Sequence, residues 1–356
     1  APEDEFGFAA LTADYFGGAP GAAEQAAMLM ALHGAPHYFR RAGKGRFRKA
    51  AADIVAGETG DLRQLPILPA RGVDVVGLTT GILPGINVDG GPRSWVLSAR
   101  PQLRTRRMWD RVEADLDQCE QAWGTRIDAV KIQVAGPWTL SASIELSNGH
   151  RALTDAGALR DLTESLIAGI QEYSADVRAR FDTEVYVQLD EPLLAQVRDG
   201  SLPGTSQFDE IPSINDADLG ERLAGVIEGA EVRYLNQTGY PPLWKVAQVA
   251  GVETCQVTLD TVRGSEQYDG MGHALAAGMR VGLGMTRAGD DRDPRHLAVN
   301  VARMWDELGL DRTLLTHAVD VHPRGGVANC TLLDAAAALR TARKVAEMLG
   351  KDAGDL

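Results

Sequence analysis

Hydrophobic and polar positions along this chain alternate between two textures. Short apolar, β-branched runs read as seven strands: "LPILPARG" (65–72), "AVKIQVAGPW" (129–138), "VYVQLDEPLL" (185–194), "VRYLNQTG" (232–239), "CQVTLD" (255–260), "MRVGLGM" (279–285) and "LLTHAVDVHP" (314–323). Between them lie helical stripes. The clearest covers 157–180, where Leu159, Leu162, Leu166, Ile170, Tyr173 and Val177 recur at spacings of three and four. A closing helix places Leu339, Ala342, Ala346 and Leu349 on one face and stops at Gly350. Strands alternating with helices predict an α/β fold with a parallel sheet, and seven or eight such units predict a (β/α)8 TIM barrel rather than a doubly wound sheet. The doubly wound form lacks its phosphate loops: "GLTTGILPG" and "VGLGMTRAG" have neither the GxGxxG spacing nor the acidic residue downstream.

In a barrel, chemistry gathers at the carboxyl ends of the strands. The run "VYVQLDEP" reads as a buried strand, yet it ends in Asp190, Glu191 and the strand-breaking Pro192. Ionised groups are costly to bury, so this strand is expected to open into a site. Other strand ends supply Trp138, Asn236, Gln237, Thr238, Asp260, Asp320 and His322. Asp260, followed by Thr261, reads equally well as a helix N-cap. His317 and His322 are five apart on one expected strand and would face opposite sides, which leaves His317 as a packing or loop residue.

Composition narrows the function classes. The chain has 356 residues with 44% hydrophobic content, enough to fill a core, and no run of 18 apolar residues. The stretch APEDEF lacks the basic start of a signal peptide, which points to the cytoplasm. Cys119, Cys255 and Cys330 lie far apart with no CxxC pair, so a disulfide framework or thiolate knuckle is not indicated. A net charge of −13 disfavours a nucleic-acid or membrane surface and suits an enzyme acting on a small molecule. Residues 1–50 read differently from 51–356. "GAAEQAAMLMALHG" is an alanine- and methionine-rich helix, and "YFRRAGKGRFRKA" packs six basic residues and three aromatics into thirteen positions. That cluster suits either RNA or phosphate contact, or a solvated helix end and loop. The piece "GKGRFRKA" resembles the N-terminal helical region of RNase II-type exoribonucleases, so 1–50 is expected to be a helical, partly basic segment appended to the barrel.

From about residue 52 to 349 the chain resembles the C-terminal barrel of cobalamin-independent methionine synthase, and the short stand-alone actinobacterial proteins like it. "ADIVAGETGDLRQLPILPARG", "VKIQVAGPWTL", "VQLDEP" and "HPRGGVANCTLLDAAAALRTARKVAEML" carry the resemblance. The superfamily also contains the cofactor-free uroporphyrinogen decarboxylases. The resemblance implies methyl transfer from a methylated pteroylglutamate donor to the homocysteine thiol. It also implies a zinc ion that turns the thiol into a thiolate. Of the family's zinc ligands, the His-x-Cys pair matches Asn236 and Thr238, the glutamate matches Asp260, and the final cysteine falls on Gly325; the proton-donating histidine falls near Gly289. Three of four ligand positions therefore carry no suitable donor. His322, Asp260 and Cys330 form a conceivable substitute set. No catalytic residue is assigned.

On the substrate side the resemblance makes Asp190 the anchor for the amino group of homocysteine or methionine, with Glu191, Asn236, Thr238 and His322 around it. The carboxylate that assists it after the family's second strand is not recognisable. Arg71 of "LPARG" offers a fork for a carboxylate or phosphate instead, and Trp138 suits either stacking on a pterin or packing at the rim. The family's first strand, with its Gly-Ser-aromatic-Pro end, is not found before residue 65. Three readings follow: a methyltransferase with a degenerate zinc site, taking its methyl group from a partner; a metal-free barrel enzyme acting on a carboxylated substrate; and a non-catalytic ligand-binding relative.

Overall fold

The computed structural model describes residues 5–7, 39–43, 46–49, 62–65, 67, 74–91, 93–100, 103–123, 127–205, 210–287, 292–327, 330–351 and 353–356. Where the first fifty residues are described they are β, not helical. Strand β1 (Glu5–Gly7) pairs with β3 (Arg46–Lys49), and β3 pairs with β2 (Phe39–Gly43), all antiparallel. The basic-aromatic stretch expected as a helix end or an RNA- or phosphate-contacting cluster thus holds two antiparallel strands, since Gly43 opposes a helix and Phe39 and Phe47 favour extended backbone. The alanine-rich helix expected at 21–34 lies outside the described residues.

The chain continues through β4 (Leu62–Gln64), α1 (Val75–Ile82), β5 (Val88–Gly90), β6 (Trp95–Leu97) and α2 (Leu103–Trp123). Next come β7 (Ala129–Ala135), α3 (Pro137–Ser143), β8 (Ile144–Glu145), α4 (Ala156–Phe181) and β9 (Glu184–Asp190). Helices α5 (Leu194–Asp199) and α6 (Asp216–Gly229) lead to β10 (Val232–Asn236), α7 (Trp244–Ala250), β11 (Thr254–Thr258) and α8 (Ser265–Ala276). The last elements are β12 (Arg280–Thr286), α9 (Pro294–Glu307), α10 (Leu314–His317), β13 (Val319–Pro323) and α11 (Leu332–Lys351). Two expected strands shift. The first is described at Leu62–Gln64, just ahead of "LPILPARG", of which Leu65 and Ile67 lie outside any strand and the other residues lie outside the described ones. The last shortens to Val319–Pro323, because Asp311 accepts the Thr313 N–H at 2.8 Å and starts a helical turn that takes up Leu314–His317.

Seven strands form one sheet in the order β4-β7-β9-β10-β11-β12-β13, with every neighbouring pair parallel. The order never reverses, whereas a doubly wound sheet must reverse at its switch point. This is the single winding of a barrel. Among the described residues the edge strands β4 and β13 do not pair, so the sheet is a half-barrel of seven strands and the eighth strand is not seen. The sheet is curled. Strands β7 and β13 are five steps apart, about 24 Å in a flat sheet, yet the charge of Asp320 on β13 reaches Lys131 on β7 and favours its ammonium form.

The two faces differ. Val130, Ile132, Val134, Val187, Leu189, Leu235, Val257 and Leu283 are buried on the outer face, in one core with Leu162, Leu166, Ile170, Leu223 and Trp305 of the surrounding helices. The alternate residues lie on the inner, concave face. Registers Gln133↔Gln188↔Tyr234 and Ala135↔Asp190↔Asn236↔Gln256 set them in rows, and those rows are polar. Barrel interiors are ordinarily filled by branched apolar side chains.

Candidate functional site

Asp190 is the last residue of β9 and sits at the carboxyl end of the inner face. Its Oδ1 accepts from Gln188 Nε2 and from Asn236 Nδ2, each at 2.7 Å. Burial pushes its carboxyl above the usual range, and the two hydrogen bonds and the Lys131 charge pull it back. Asn236, at the end of β10, is itself held: its Oδ1 accepts the Thr238 backbone N–H at 2.9 Å. Both amide hydrogen bonds fall on Oδ1, and among the described residues no donor reaches Oδ2.

Beneath Asp190 the inner face carries a chain of polar side chains. Lys131 on β7 donates to Gln188 Oε1 at 2.8 Å, and Gln188 donates to Gln133 Oε1 at 3.2 Å. The Lys131 ammonium also lies 5.2 Å from the centre of the Tyr234 ring. Burial pulls this lysine down to about 8, while Asp190 and Asp320 favour its charged form. Further along, Arg280 pairs with Asp320 at 2.6 Å. His322 lies over β12 where Gly282 and Gly284 leave room: a Cβ on Gly284 would stand 2.8 Å from its ring. Burial pulls His322 down to about 4, so it is neutral at ordinary pH. Its Nδ1 is 3.0 Å from the Pro323 carbonyl oxygen and its Nε2 3.3 Å from that of Gly282. A neutral ring has a single N–H for these two acceptors.

Other expected site residues lie elsewhere. Glu191 was expected beside Asp190 in the pocket, but it is fully buried and points into the start of α3. Its Oε1 accepts from Trp138 N at 3.0 Å, and its Oε2 from Thr139 N at 2.8 Å and Thr139 Oγ1 at 2.6 Å. Burial pushes it up to about 7 against those three donors. Its partner helix begins at Gly136, where a Cβ would stand 2.2 Å from Oε1, so only glycine fits. Trp138 is buried and has no face free for a pterin: its Nε1 donates to the Leu219 carbonyl oxygen at 3.0 Å, and the Arg222 guanidinium is 5.3 Å from the ring centre. Gln237 is also buried, accepting the Leu243 N–H at 2.8 Å. His317 is exposed at the end of α10 and not on a strand. Arg71 and Gly289 lie outside the described residues.

The zinc set implied by the family resemblance does not fit this donor set. The Asn236 amide is committed to Asp190 and to the Thr238 backbone, Thr238 offers a neutral hydroxyl, and Gly325 has no side chain. Asp260, the one matched ligand position, is exposed and engaged by Arg287 at 3.2 Å and by Arg324. The substitute set fares no better, because the Cys330 thiol donates to the Val327 carbonyl oxygen at 2.8 Å and His322 lies over β12. Among the described residues no group of three or more His, Cys, Asp or Glu is placed to hold a metal ion.

Lys131, Gln133, Gln188, Gln256, Arg280 and Tyr234 were not singled out from sequence. The signal was present as a period of two: Lys131 and Gln133 in "VKIQVA", and Tyr186, Gln188 and Asp190 in "VYVQLD". Such alternation marks a strand with one polar face, not one covered by apolar groups on both.

No protein-family model and no curated protein matches the chain. Among solved structures it is similar to a methyltransferase from Methanosarcina mazei, at 15% identity over 80% of each chain with a TM-score of 0.48. It is also similar to a B12-independent methionine synthase from Shewanella sp. W3-18-1, at 12% identity over 77% of each chain with a TM-score of 0.44. Likenesses this distant identify no substrate. Among the described residues no helix is long and apolar enough to cross a membrane.

Proposed function

We propose that this chain is a methionine-synthase-like methyltransferase that binds an amino acid of the homocysteine or methionine type through Asp190, without the family's thiol-activating zinc, and meets its methyl donor on a partner. The observation that carries the reading is the Asp190 carboxylate, held on Oδ1 by Gln188 and Asn236 at the mouth of a polar half-barrel, with no donor among the described residues on Oδ2. A half-buried carboxylate so oriented suits an ammonium, since charge-assisted hydrogen bonds gain as water is excluded. The sequence pieces "AGPWTL" and "VQLDEP" support the family assignment.

A carboxylated substrate is the second reading. It is favoured by Arg287 and Arg324, two guanidinium groups at the ends of β12 and β13 that share the single carboxylate of Asp260.

Calorimetric titration of methionine and homocysteine into the wild type and Asp190→Asn, followed by a methyl-transfer assay with folate-borne and corrinoid-borne donors, tests the proposal. Wild-type binding that falls at least about a hundredfold in Asp190→Asn, the loss of a hydrogen-bonded charged partner, supports the anchor. Unchanged binding by the variant would sink it. Binding without transfer from either donor would make the chain a ligand-binding relative.

A further inference from the structure

We propose that Lys131 is a positioning residue of the candidate site: its ammonium orients the Gln188 amide so that Gln188 and Asn236 together aim the Asp190 carboxylate at a cationic ligand. The consequence for ligands rests on the reading of Asp190 as anchor; the orientation of Gln188 does not.

The inference follows from the donor count. An ammonium has three donors and no acceptor, and an amide presents an oxygen at one end and an N–H2 at the other. Lys131 Nζ lies 2.8 Å from the Gln188 side chain, so the amide oxygen must face it. The two amide hydrogens are then both spoken for, one on Asp190 Oδ1 at 2.7 Å and one on Gln133 Oε1 at 3.2 Å. Turning the amide over would set N–H2 against the ammonium and an oxygen against both the Asp190 carboxylate and the Gln133 oxygen. Only one orientation is satisfied, and Lys131 at the oxygen end and Asp190 at the N–H2 end both select it. Lys131 makes no hydrogen bond to Asp190, so its effect on the carboxylate passes through Gln188 and through charge.

The surroundings make this lysine unusual. It is almost wholly buried on a strand, where an ammonium is seldom found unless it is partnered. Among the described residues, the charged and titratable groups around it are Asp190 and Tyr186 on β9, the latter opposite it in register and under the Arg233 guanidinium, Tyr234 on β10, and Asp320 and neutral His322 on β13, with Asp320 already paired to Arg280 of β12. Its lowered titration, near 8, places the switch between ammonium and amine within reach of solution experiments.

Two arms test the proposal. In the ligand-free protein, the Gln188 side-chain amide resonances are followed by NMR from pH 6.5 to 9.5, in the wild type and in Lys131→Met. They are expected to shift with a midpoint near 8 in the wild type and not in the variant. Resonances that stay put in the wild type overturn the proposal, whatever the variant does and whether or not an amino acid binds. In the second arm, methionine is titrated into wild type, Lys131→Met, Gln188→Met and the double variant. Positioning predicts that each single variant loses at least about tenfold in affinity and that the double loses no more than either, as expected of two residues acting as one unit. Tighter binding by Lys131→Met would mean that the lysine merely repels the ligand's charge. Unchanged binding with altered thermal stability would mean a structural role. Either result overturns the proposal, and absence of wild-type binding fails the anchor reading alone.

Discussion

Asp190 and Glu191 are neighbours with opposite fates, and strand geometry separates them. Successive side chains alternate faces, so Asp190 enters the concave side while Glu191, one step beyond the strand, folds back to meet the N–H groups at the start of α3. The sequence shows two carboxylates before a proline but not this division, because the cap depends on Thr139 lying 52 residues away. His322 is the other residue whose environment makes a checkable claim. Its native value of about 4 lies below the ordinary 6.5, so between these pH values the unfolded chain holds a proton that the native protein lacks, and stability rises with pH through that window. Glu191 works the other way. Its native value of about 7 lies above 4.5, so over that range stability falls as pH rises. Replacing His322 with Gln should therefore leave a protein whose unfolding free energy lacks the rise, and the wild-type advantage should grow from pH 4 to 6.5 in urea titrations. A difference independent of pH would contradict the burial assigned to the ring.

At the scale of elements, what could be read from sequence was what hydrophobicity controls. The strands at β7, β9, β10, β11 and β12 and the long helix α4 fall where apolar runs and 3.6-residue stripes place them. The three-residue strand β4 is too short to show a pattern. The paired strands Phe39–Gly43 and Arg46–Lys49 are set by cross-strand pairing, and the split of 314–323 by a local turn cap. The polar inner face went unread for a different reason: its residues alternate inside runs whose apolar members dominate. The two faces of one strand can be separated by mutation. Leu189→Ala, on the fully buried outer face, should cost about 2–5 kcal/mol of stability by leaving a cavity. Methionine affinity should be unaffected, because its side chain points away from Asp190. Loss of affinity at constant stability would mean that the faces have been assigned the wrong way round.

The whole molecule joins a helix-covered, apolar outer layer to a concave surface built from lysine, glutamine, asparagine, aspartate and histidine. Parallel strands in unbroken order bring residues more than a hundred positions apart, from Lys131 to His322, onto that one surface. Such a surface selects a ligand by charge and hydrogen bonding. The family resemblance would use the carboxylate at its mouth as an anchor, while three of the four positions that it would give to zinc carry amide, hydroxyl and glycine. Asp190 is proposed to recognise an ammonium group without zinc. The most direct measurement is calorimetric titration of chelator-treated protein with methionine and with its des-amino analogue, 4-(methylthio)butanoate. Methionine is expected to bind and the analogue not. Equal binding of both, or binding of methionine only after zinc is restored, would contradict it.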